Sequence, residues 1–153
     1  MTYHATELQA MEQAIAAARQ ARAAGDTPFG ATLVAPDGRI VLTVPNRQNT
    51  SHDCTAHAEV VLVREACAQL GADSLRGATV FASGEPCAMC SGAMFWAGIS
   101  RVVYAASTQD IAQALGGPSL LAGCAQVLAA AQPPVKVEGG LLRKASVQVL
   151  NGR

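Results

Sequence analysis

The chain has 153 residues, enough for a single domain over 1–153 with a core of its own. Half of its residues are hydrophobic and 14% are charged, a balance that excludes a disordered chain. Eleven Lys and Arg offset eleven Asp and Glu, so the net positive field of a protein that lives on phosphate backbones is missing and nucleic acid is a disfavoured partner. No apolar run reaches the ~18 residues that span a bilayer, and no membrane partner is expected. The start of the chain shows no basic leader followed by an apolar run, and the cysteines number five. Free thiols or metal ligands in a cytoplasmic protein fit better than a disulfide framework.

From Leu8, the residues Met11, Ile15 and Ala18 recur at helical spacing until Gly25-Asp26 stops them. Ala31–Ala35 and Ile40–Val44 flank the turn Pro36-Asp37-Gly38 and read as a β-hairpin. A polar, turn-prone stretch over 45–55 precedes a second helix with Val60, Val63, Cys67 and Leu70 as its expected buried stripe. A buried strand over Thr79–Ser83 follows, then a helix over Cys87–Ala97 ended by Gly98, then a strand over Arg101–Ala105. Beyond these come a short helix over Gln109–Leu115, a Gly116-Gly117-Pro118 break and a second apolar piece over Leu120–Ala131. A weak strand at Val135–Val137 and a closing helix through Leu142, Ala145 and Val149 complete the pattern. Strands alternating with helices predict an α/β layered domain.

The chemistry is concentrated in Thr55-Ala56-His57-Ala58-Glu59 and Glu85-Pro86-Cys87-Ala88-Met89-Cys90. In the first turn of a helix, Cys87 and Cys90 stand at i and i+3, so both sulfurs face one side and the helix N-terminus favours thiolate. Pro86 is suited to a helix start, where no amide partner is lost. One imidazole and two thiolates are zinc ligands by type, and three protein ligands leave the fourth position to water, as in a catalytic site. Glu59, two residues past His57, reaches the same opening and is the candidate proton carrier. Two other readings use the same residues. Cys54-x-x-His57 could close a structural site with Cys87 and Cys90 in a non-catalytic interaction domain, and Cys87-x-x-Cys90 could be a redox pair. Cys67 and Cys124 are expected in the core, and His4 and His52 in solvent.

His-x-Glu followed by Pro-Cys-x-x-Cys resembles the cytidine and deoxycytidylate deaminase superfamily, whose zinc motif has this form. From Thr27-Pro28-Phe29-Gly30-Ala31 to Tyr104 the sequence is similar to the guanine deaminase and tRNA adenosine deaminase branches. The resemblance implies a three-layer α-β-α domain with a five-stranded mixed sheet, a Zn2+ site between two helix N-termini, and a homodimer. It implies that His57, Cys87 and Cys90 bind the metal and that Glu59 shuttles protons. It also implies that Asn46 hydrogen-bonds the base, that the Ala58 amide faces the substrate, and that Phe29 and Trp96 line the pocket. Packing alone would account for Phe29 and a dimer contact for Trp96.

Phe95-Trp96-Ala97 and the Thr27–Gly30 segment favour the guanine deaminase branch, and so does the neutral charge. The expected activity is hydrolytic release of ammonia from a small amino-heterocycle, a purine base of the guanine type. A tRNA adenosine deaminase or a cytosine deaminase is the alternative. Two departures from the guanine branch stand out: Gly116-Gly117-Pro118-Ser119 replaces an acidic segment, and no aromatic residue follows Tyr104. Asp110 is the nearest remaining carboxylate candidate for reading substrate N–H groups.

Overall fold

The computed structural model describes residues 2–153. Helix α1 (Ala5–Ala23) leads into the hairpin β1 (Gly30–Val34) and β2 (Ile40–Pro45), followed by α2 (Ala58–Leu70) and β3 (Thr79–Gly84). Then come α3 (Ala88–Ala97), β4 (Arg101–Ala106), α4 (Thr108–Leu115), α5 (Cys124–Val127), β5 (Lys136–Gly139) and α6 (Arg143–Leu150). The strands form one sheet in the order β2-β1-β3-β4-β5. β1 is antiparallel to β2 and β3, whereas β3, β4 and β5 are parallel. The five-stranded mixed sheet is thus the one the resemblance implies.

Two cores cover the sheet, one on each face, because successive strand residues point to opposite sides. Val80 and Val102 join Ala58, Val61, Leu62, Met94 and Cys124 on the face of α2, α3 and α5. Their neighbours Phe81 and Val103 join Met11, Ala14, Ile15, Ala18 and Val149 on the face of α1 and α6. Among the described residues no helix is long and apolar enough to cross a membrane.

Three sequence expectations are corrected. The buried face of α2 is Ala58, Val61, Leu62 and Ala66, not the stripe through Cys67 and Leu70; Cys67 is exposed and Leu70 is 49% exposed. Val60 of the expected stripe is buried and Val63 is partly buried against the core, whereas small alanines at 58 and 66 let the helix lie close to the sheet and turn its later residues, Cys67 and Leu70, outward. The Leu120–Ala131 piece shrinks to the four residues of α5, because Gly116 and Gly117 take positive φ and Leu120 and Leu121 are exposed. The last strand runs on to Gly139, with Glu138 opposite Val103, a register that a hydrophobic pattern cannot reveal.

Glu138 tolerates burial because cations surround it. It accepts hydrogen bonds from Arg101 Nη2 at 2.9 Å and Tyr3 Oη at 3.1 Å, and Lys136 Nζ lies 3.1 Å away. Arg101 also pairs with Glu7 on α1. The Arg101 hydrogen bond chiefly holds the Glu138 carboxyl down at about 2, against an ordinary 4.5. A depressed carboxylate stabilises the fold fully above its ordinary value, and this contribution is lost as pH falls from 4.5 toward about 2. Thermal melts are therefore expected to decline across that window, and Glu138→Gln to flatten the decline. An identical pH slope in the variant would refute the assignment.

Candidate active site

His57 and Cys87 are the N-caps of α2 and α3, which bring their first turns together at one end of the sheet. His57 Nδ1 lies 3.6 Å from Cys87 Sγ and 3.4 Å from Cys90 Sγ, and the two sulfurs are 3.7 Å apart. Tetrahedral zinc with ordinary Zn–S and Zn–N lengths would separate two sulfurs by about 3.8 Å and sulfur from nitrogen by about 3.6 Å. The donor triangle fits zinc in both chemistry and size. Among the described residues no fourth His, Cys, Asp or Glu atom joins it. Cys54 is exposed and outside the trio, so the closed four-ligand arrangement is not formed.

The hydrogen bond with Cys90 holds the Cys87 thiol down at about 4, with His57 assisting. The same bond and burial push Cys90 far up, and a dication bound between the sulfurs would favour the thiolate of both. The Cys87 bond also raises His57. Glu59 is 5% exposed, and burial lifts its carboxyl to about 7. A group near 7 both takes and gives a proton at neutral pH.

These residues open on a cavity of about 380 Å³, near the small end of the ~300–1,000 Å³ range of small-molecule sites. Its lining combines His57, Ala58, Glu59 and Cys87 with Thr27, Phe29, Asn46 and Gln48, with Gly84, Glu85, Thr108 and Ile111, and with Leu115, Gly116, Pro118, Ser119 and Leu120. Phe29 O accepts from Asn46 N at 2.9 Å, which sets both residues at the same corner. Gly84 leaves room for the ring, since a Cβ there would lie 2.6 Å from Phe29 Cε1. Ala58 is the first residue of α2, where an amide has no carbonyl partner within the helix.

Asp110 and Trp96 are placed elsewhere. The Asp110 carboxylate accepts Arg143 Nε at 2.8 Å, Arg143 Nη2 at 2.6 Å and Ser107 N at 3.0 Å. It does not line the cavity, and the Arg143 bonds hold it at about 2. The expectation that it reads the substrate is corrected: it joins α4 to α6. Trp96 is 84% exposed on the outer side of α3 and lines no part of the cavity. His4 and His52 are exposed and Cys124 is buried, as expected.

Sequence reasoning missed Thr27, Gln48 and the work of Glu85. Glu85 Oε1 accepts from Thr108 N at 2.9 Å and Oε2 from Cys124 N at 2.8 Å. One carboxylate thus ties the starts of α4 and α5 to the strand end that precedes Cys87. Its place in Glu-Pro-Cys was the only available signal.

The family model of the cytidine and deoxycytidylate deaminase zinc-binding region matches residues 4–106. The chain belongs to this family. It is 48% identical to a guanine deaminase of Bacillus subtilis over 87 residues, 57% of this chain and 55% of the relative. It is 43% identical to a tRNA-specific adenosine deaminase of Agrobacterium fabrum over 96 residues, 63% of this chain and 62% of the relative. The matches thus span less than two thirds of these relatives' length. A solved guanine deaminase from Nitrosomonas europaea superposes with a TM-score of 0.81 at 26% identity, covering 99% of this chain and 86% of that one. Within the family, zinc is the metal of the His57, Cys87 and Cys90 site.

Proposed function

We propose that residues 1–153 form one deaminase domain that hydrolyses a free amino-purine base of the guanine type and releases ammonia. The observation that carries this reading is the small cavity joining His57, Cys87 and Glu59 to a wall of apolar and amide side chains that includes Phe29, Asn46, Gln48, Leu115 and Leu120. The guanine deaminase relatives and the neutral charge support it.

His57, Cys87 and Cys90 would hold the zinc, which when bound would supply the Lewis acidity that makes water nucleophilic near neutral pH. Glu59 takes a proton from the attacking water as the C–O bond forms and delivers it to the adjacent ring nitrogen. It then carries the second water proton to the amino group as the C–N bond breaks. The amino-heterocycle and water leave as oxo-heterocycle and ammonia. Phe29 offers an apolar face to the ring, and the Ala58 amide and Asn46 side chain offer hydrogen bonds to its edge.

Ammonia release by the zinc-loaded protein from guanine, cytosine and adenosine-containing tRNA tests the proposal. Turnover of the free purine is expected. Activity confined to tRNA, with binding that weakens steeply with salt, would transfer the assignment to the second reading, which the Agrobacterium fabrum relative supports. Thiolate ligands suit a reducing compartment, and the cytoplasm is the location we propose.

We also infer a homodimer through the outer face of α3, where Met89 and Trp96 stand exposed one and three turns along the same side. Sedimentation at tens of micromolar is expected to give twice the chain mass; a monomer there would overturn the inference.

A further inference from the structure

Every carboxylate on the cavity wall except that of Glu59 is already committed, because both oxygens of Glu85 accept backbone amides. A bound base therefore meets neutral groups along the rest of the wall, and their polarity decides which edge it presents. That polarity is set by a chain of hydrogen bonds starting from an unambiguous donor. The backbone N–H of Gln48 donates to Asn46 Oδ1 at 2.9 Å, so the other terminal atom of Asn46 is Nδ2. Asn46 Nδ2 donates to Gln48 at 2.7 Å, so the atom it meets is Oε1. Thr27 Oγ1 donates to the same oxygen at 3.2 Å.

The Gln48 carbonyl thus accepts two bonds, as many as its lone pairs allow, and its remaining terminal atom is an NH2 group with two donors. That nitrogen has no hydrogen-bond partner among the described residues, and no buried side-chain polar atom there lacks one. The NH2 group is therefore accessible on a residue that lines the cavity.

We propose that Gln48 is a specificity-determining residue whose amide donors read a ring oxo group. The enzyme then selects oxo-bearing amino-heterocycles over their diamino counterparts. This rests on the purine-base reading above and narrows it. An oxo group accepts from Gln48, whereas an amino group in its place sets donor against donor and leaves both unpaired. Gln48→Glu is a close isostere that retains an acceptor for Asn46 and Thr27 and replaces the NH2 donors with an acceptor oxygen.

Guanine and 2,6-diaminopurine differ at position 6, oxo in one and amino in the other, and at N1, which carries a proton in guanine alone, so the change in their ratio on substituting Gln48 is the readout. Their affinities for the zinc-loaded Glu59→Gln protein can be compared without turnover by equilibrium dialysis. Guanine is expected to bind at least about tenfold tighter, Gln48→Glu to reverse the order, and Gln48→Met to bring the ratio near one. Gln48→Met carries the test alone if circular dichroism shows Gln48→Glu unfolded. A preference unchanged in the folded variants, or a parent protein that prefers the diamine, overturns the role of Gln48 while leaving the purine reading intact. Binding of neither purine overturns that reading and this assignment together.

Discussion

Glu59→Gln is expected to lower the rate of ammonia release at least about 10²-fold, the scale for removing a general acid-base group. The substitution keeps the size of the side chain, so the buried position beside the donor trio stays filled. Zinc content should be unchanged, because the Glu59 carboxylate is not among the three ligand atoms. Paired assays of ammonia and bound metal separate the outcomes. Full activity would remove Glu59 from proton transfer, and loss of zinc would make it a metal-site residue.

Gly30→Ala should be the most damaging single methyl in the fold. A Cβ at Gly30 would lie 2.2 Å from Ala14 O, 2.7 Å from Ala17 Cβ and 2.8 Å from Ala18 N. These are atoms of a helix packed on the strand, with no flexible side chain to yield. Overpacking of this kind costs about 3 kcal/mol, which in a domain of this size lowers the Tm by about 6–12 °C. A thermal melt of the variant checks it, and an unchanged midpoint would show that α1 can lift from β1 freely.

The metal trio and Glu59 could be read from the sequence because their geometry is local. Each ligand sits at or within one turn of a helix start, so spacing alone brings Cys87 and Cys90 to one side. The cavity wall was harder to read because Thr27, Gln48 and Glu85 come from separate loops and strand ends. Polar residues in such places look like solvated turns until the backbone brings them together. The same limit explains Asp110, a carboxylate at plausible distance along the chain that Arg143 had already engaged. In the fold, the hydrophobic pattern placed β3 and β4 well, since apolar residues on both faces make each a continuous apolar run. It failed for Glu138, whose burial depends on Arg101, thirty-seven residues away, and for α2, whose small alanines face inward.

The two hydrogen bonds of Glu85 divide the far wall of the cavity into parts with different mechanical freedom. The starts of α4 and α5 are fastened to the strand end beside the metal ligands, while the stretch between α4 and α5 contains Gly116 and Gly117 and carries the exposed Leu120 and Leu121. A rearrangement confined to that span therefore leaves the ligand geometry still. The span can also change in length or composition between related chains at little energetic expense, so the reaction centre and the choice of what reaches it are free to diverge separately.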